Sequence, residues 1–186
     1  MPAQVQPVRL EALPVQAAPA EPAGELDALV PASEEFMPDL TRDERILLLF
    51  SSLGQAAIID RPEGEIQKTG ESLAEKLEVP NVAAAVNRAI LEGGLPLRQN
   101  QRRITNLSPR DFAMLQVYAA GGTNMHLAEL LGKDSPDKVK TLNRRLFQKM
   151  DVWGREHSVR AAYEGGAFKR GVPAITLEHI FGERPE

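Results

Sequence analysis

Six side chains between positions 138 and 148 carry the most chemistry in the chain: Lys138, Lys140, Thr141, Arg144, Arg145 and Gln148. Cations neutralise phosphates, and Arg, Lys, Thr and Gln also hydrogen-bond base edges, so the set suits double-stranded DNA. Helical spacing sorts them. Val139, Leu142, Leu146 and Met150 recur at three- and four-residue steps as an inner stripe, which leaves the six on the remaining surface. Lys140 and Arg144 are one turn apart and can straddle the edge of a groove. Each bidentate contact to a base is worth roughly 1–3 kcal/mol.

Residues for catalysis are not gathered in the same way. His126, His157 and His179 fall in three separate segments with no HExxH or triad-like context, which predicts structural or solvated roles. No G-x-x-x-x-G-K loop occurs, and the glycine pairs at 93–94, 121–122 and 165–166 suit helix ends. Glu34-Glu35 sits in a tail where nothing can tune an acid and base pair. Asp39 and Asp60 lack the alternating strand and helix layout of a phosphorylated receiver. The expectation is a protein that is not an enzyme, with no cofactor and no metal.

The elements that must position the cations are well punctuated. Ser108 predicts a cap with Pro109 at the first helical position and Asp111 returning the bond, and Phe112, Leu115 and Ala119 inward. Gly121-Gly122 ends that helix, and Thr123 opens a short second one with Leu127, Ala128 and Leu131 inward. Gly132 closes it, and Ser135-Pro136 starts the cationic helix over 136–150. Val152, Trp153, Val159, Ala162 and Tyr163 predict a last short helix stopped at Gly165-Gly166, with Trp153 in the core or between helices. A short helix, a tight turn and a helix with an apolar inner face describe helix-turn-helix recognition.

The order Leu107-Ser-Pro-Arg, Leu115, Ala119-x-Gly121-x-Thr123-Asn124, Ala128-x-x-Leu131, Ser135, Val139-Lys140, Leu146-x-x-Lys149-Met150-x-Val152 resembles the LuxR-type (NarL/FixJ, GerE-like) DNA-binding domain. The resemblance covers 107–168 and implies a four-helix domain whose third helix enters the major groove. It places Lys138, Lys140, Thr141, Arg144 and Arg145 towards DNA, with Val139 near the bases and Asn124 at the start of the second helix. It also implies a homodimer paired through the last helix. Met125-His126 stands where the family usually has Lys-Glu, Asp111 replaces a Glu and Leu142 a His, and the turn before Ser135 is one residue longer.

The chain has 186 residues, 42% of them hydrophobic, which suits one or two small domains. It has no cysteine, which excludes disulfides and thiolate chemistry and agrees with a reducing cytoplasm. No leader pattern or long apolar run occurs, so no membrane is expected, and the location expected is cytoplasmic and nucleoid-associated. A net charge of −4 alone argues against nucleic acid, but its distribution argues the other way. Residues 1–97 hold 7 Lys and Arg against 16 Asp and Glu, residues 98–173 hold 14 against 7, and residues 174–186 hold 1 against 3. The respective charges of −9, +7 and −2 place a phosphate-binding face behind an acidic average.

Residues 1–38 hold 7 of the 14 prolines and read as a disordered tail, with Leu26, Leu29 and Val30 as a short amphipathic segment. Residues 39–106 read as a second unit. Thr41 and Glu44 predict a capping box for a helix to about Ile59, broken at Arg61-Pro62-Glu63-Gly64. Gly70–Glu78 and a segment from Pro80-Asn81 to Gly93-Gly94 predict two more helices. Leu95–Arg98 and Arg102–Thr105 then flank Gln99-Asn100-Gln101 as a hairpin. Three helices and a hairpin resemble a winged helix. Its candidate recognition helix offers Asn87 and Arg88 but is otherwise apolar, so this unit is expected mainly to bind protein. The partner expected is its own copy or a transcription component such as RNA polymerase, with Arg98, Arg102 and Arg103 as accessory DNA contacts. In the tail, 169–186, Leu177, Ile180 and Phe181 suit a clasp or a partner contact.

The reading is a mainly α chain with two small helical domains, a winged-helix-like unit at 39–106 and a LuxR-type domain at 107–168. Its expected function is sequence-specific transcription regulation in a bacterium or phage, activating rather than repressing. One alternative is a protein–protein adaptor that keeps the helix-turn-helix shape without using it on DNA. Another is a plasmid or phage replication initiator.

Overall fold

The computed structural model describes residues 37, 39–56, 59, 61–98, 104, 106–170 and 176–181. The chain is mainly helical, with no strand among the described residues. Its helices are α1 (Arg42–Ser52), α2 (Glu63–Lys76), α3 (Val82–Leu91), α4 (Pro109–Ala119), α5 (Asn124–Leu130), α6 (Asp137–Met150), α7 (Arg155–Glu164) and α8 (Leu177–Phe181). Of the proline-rich tail expected over 1–38, only Met37 is described, and it is buried. Of the hairpin expected over 95–105, residues 95–98 form no strand, and 99–103, with Arg102 and Arg103, and 105 lie outside the described residues.

Local bonds account for most helix starts. Glu44 accepts from the Thr41 backbone N–H at 2.6 Å while Thr41 Oγ1 accepts from the Glu44 N–H at 3.3 Å. This is the expected capping box, and it satisfies donors that an α-helix leaves open at its first turn. Asn81 caps α3 by accepting from the Ala83 and Ala84 N–H groups, and Ser108 and Asp111 form the reciprocal box at α4. Two boundaries differ from expectation. Helix α1 stops at Ser52 rather than near Ile59, because Gly54 turns left-handed (φ 71°) and the Gln55 N–H returns to the Phe50 carbonyl at 2.8 Å. Helix α2 starts at Glu63 rather than Gly70. Pro62, read as a breaker, is the cap before its first turn, where a missing N–H costs nothing.

Helix α3 is apolar nearly all round, as a central helix must be. Ala83, Ala84, Ala85, Val86, Ala89 and Ile90 are buried, and the helix touches α1, α2, α4 and α7. The alanine run permits that close approach. Asn87, expected on a presented surface, is buried and accepts from the Tyr163 hydroxyl at 2.7 Å. Arg88 is held by Glu92 at 2.7 Å and by the Leu77 carbonyl. The face of α3 that carries Asn87 is therefore packed inside and offers no reading surface.

A single hydrophobic cluster joins both stretches of sequence. Leu48, Leu73 and Val86 belong to it from one side, and Leu115, Tyr118 and Val159 from the other. Helix α7 is the hinge of this packing and contacts α1, α3 and α4. Its Arg160 is only 4% exposed. The guanidinium donates to Glu164 at 2.8 Å, to Ser52 Oγ at 3.0 Å and to the Pro96 carbonyl at 2.8 Å. Glu164 also accepts from the Arg98 N–H at 2.9 Å. The buried face of the helix expected to pair two subunits is thus filled by its own chain. Helix α8 clasps the other end, with Phe181 against His126 at 5.6 Å between ring centroids.

Candidate nucleic-acid interface

The turn between α4 and α5 is set by Gly121, which takes φ 81° and hands the chain to Thr123. Thr123 and His126 then form the capping box of α5, with the imidazole Nδ1 accepting from the Thr123 N–H at 3.0 Å. His126 performs the N3 task that an acidic side chain performs in a capping box, so the departure at Met125-His126 leaves the helix start intact. Leu127 and Ala128 are buried, Gly132 takes φ 58°, and the Lys133 N–H closes on the Ala128 carbonyl at 2.7 Å. The chain then enters α6, whose start is held by Ser135 Oγ accepting from the Asp137 N–H at 3.1 Å.

Helix α6 presents two faces. Val139, Leu146 and Met150 are buried, with Leu142 half-buried, so the inner stripe is as expected. Lys138, Lys140, Thr141, Arg144, Arg145 and Gln148 are all exposed. Val139 does not belong to the contact set: it is 0% exposed and packs inward, so its side chain cannot reach a base. Asn124 is half-buried and accepts from the Asn143 amide at 3.0 Å, which ties the start of α5 to α6. Lys149 Nζ sits 2.7 Å from the Asp111 carboxylate and fixes the C-terminal end of α6 on α4. Burial raises the Asp111 carboxyl, but hydrogen bonds from Lys149 and Ser108 outweigh it and hold the group below the ordinary range.

The outer charges are not equivalent. Lys138 lies 2.6 Å from Asp134 and Lys140 lies 2.7 Å from Asp137. The hydrogen bond between Lys140 and Asp137 raises the lysine and lowers the aspartate, as a mutual ion pair does. Arg144 and Arg145 have no ion pair among the described residues, so they hold the charge most freely available to phosphate. The signal for these two pairs in the sequence is the i−4 spacing of Asp134 to Lys138 and the i−3 spacing of Asp137 to Lys140. Arg98 does not join this face. It lines a cavity of about 530 Å³ with Lys149, Asp151 and His157.

Trp153 is the principal correction. Expected in the core or between helices, it is 83% exposed. Asp151 turns left-handed (φ 56°) after α6, Val152 takes the buried position, and the next side chain points to water. The three histidines have local roles. His126 caps α5, His157 Nδ1 accepts from the Trp153 N–H at 3.4 Å, and His179 Nδ1 accepts from the Thr176 N–H at 3.3 Å. Among the described residues no group of three or more acidic or histidine side chains could hold a metal ion, and no helix is long and apolar enough to cross a membrane. Compared with protein-family models, with curated proteins and with solved structures, the chain matches none.

Proposed function

We propose that this chain is a sequence-specific transcription regulator that lays α6 in the major groove of duplex DNA. The observation that carries the reading is the division of α6 into a buried apolar face and an exposed face bearing Lys138, Lys140, Thr141, Arg144 and Arg145, beside a short helix across a tight turn. The resemblance to LuxR-type domains supports the same use of that helix. Two copies on an inverted repeat would pair through a surface other than the buried face of α7. The acidic first stretch would then address the transcription machinery, RNA polymerase included, which makes activation the favoured direction.

The test is selection of duplex fragments by the full chain in about 0.15 M salt, with affinity then followed against salt. Each phosphate contact contributes about −0.9 to the slope of log affinity against log salt. Lys140→Glu with Arg144→Glu should abolish binding while helical circular dichroism is unchanged. Normal binding by that double variant would remove α6 from the interface. A protein–protein adaptor is the second reading, and the neutralisation of Lys138 and Lys140 by Asp134 and Asp137 favours it. No duplex binding even at low salt would leave it standing.

A further inference from the structure

We propose that the groove between α6 and Trp153 takes an unpaired DNA base, so that the protein holds single-stranded DNA beside the duplex that α6 reads. The proposal rests on the reading of α6 above. Trp153 is the only tryptophan, and it stands 83% exposed directly after α6. An indole left in water retains nearly all the apolar surface it could bury, which is surface for a ligand. It borders a groove of about 470 Å³ with Lys140, Asn143, Arg144, Phe147 and Gln148. The groove thus combines aromatic rings for stacking, cations for phosphate and an amide for a base edge.

Three observations narrow the ligand. A duplex keeps its base faces stacked inside and shows only edges, so an open indole can stack only on a base that has left the duplex. Asn143 donates to Asn124 and its side-chain oxygen is enclosed, so the exposed Gln148 amide is the group on this groove that can meet a base edge. Charge sets the side on which a strand lies. Beyond Trp153 is a second, apolar groove with Leu47, Ile66 and Val82, and its acidic members are Glu71 and Glu156, which repel phosphate. On the α6 side Arg144 has no ion pair among the described residues, although Lys140 is paired with Asp137 and Asp151 also lines the groove.

The sole tryptophan is its own reporter. The full chain is titrated with an unlabelled oligothymidylate of about 15 nucleotides, a length within the range of single-strand sites, and with a duplex of the same length recovered by selection. Base stacking should quench Trp153 emission on the single strand. Trp153→Ala should weaken single-strand binding about 5- to 100-fold, with Trp153→Phe retaining most of it. Both variants should bind duplex within about two-fold of the native chain, since α6 is untouched. Single-strand affinity unchanged in Trp153→Ala, with duplex binding intact, overturns this proposal and leaves the reading of α6 in place. Failure to bind either DNA at low salt overturns both. Concentration-dependent emission that shifts without DNA, and is lost in dilution, also overturns the proposal by assigning the indole to contact between copies.

Discussion

Replacing Arg160 by Met should cost this protein a large part of its stability. The side chain is 4% exposed and its three donor contacts reach Glu164, Ser52 and the Pro96 carbonyl. Methionine keeps much of the aliphatic length and removes every donor. The Glu164 carboxylate, itself almost wholly buried, would retain only the Arg98 N–H, and Ser52 Oγ and the Pro96 oxygen would lose a partner. Breaking a buried pair by removing one member costs about 3–5 kcal/mol, because the remaining charge is stranded in a poorly polarisable interior. Typical domains hold about 5–15 kcal/mol in total, so the loss is a substantial fraction. Urea unfolding followed by circular dichroism reads it as a lower midpoint at unchanged slope. The double variant Arg160→Met with Glu164→Leu removes the stranded charge and should recover at least about 2 kcal/mol of the loss. A single-variant loss below about 1 kcal/mol, or a double variant as unstable as the single, would refute the claim that this pair locks α7 between the two stretches.

Two further outcomes follow from buried groups. Burial raises the Glu44 carboxyl, but bonds from Ser72, Lys76 and Thr41 outweigh it and hold the group at about 2, against an ordinary 4.5. A depressed carboxylate stabilises the fold above its unfolded value and loses that contribution as pH falls towards the folded one. Between pH 4.5 and 2 the native chain should therefore lose about 3 kcal/mol more than Glu44→Gln, measured as urea midpoints against pH, and parallel curves would sink the assignment. Tyr118 is fully buried, its hydroxyl has no partner among the described residues, and burial pushes the phenol up. Tyr118→Phe should keep or raise the melting temperature, since an unsatisfied buried polar group costs about 1–3 kcal/mol. A clear fall in melting temperature would reveal a partner for that hydroxyl.

Helix starts are legible in the residues because their bonds close within three positions, as at Thr41–Glu44, Ser108–Asp111 and Thr123. The inner stripe of α6 and the cations opposite it follow from the same short-range periodicity, so most of the candidate interface is readable from the residue order alone. The Gly121 and Gly132 turns are readable too, since few other residues accept a positive φ. What required the tertiary structure joins residues far apart in the chain. Arg160 meets Ser52 and Pro96, and Tyr163 meets Asn87, pairings that no local spacing encodes. The same packing takes the Asn87 face of α3 and the buried face of α7 out of any presented surface. Trp153 shows the limit most clearly. Its type predicts burial, but Val152 takes the inward place after the left-handed turn at Asp151, and only the folded chain could decide that the largest aromatic ring stays outside.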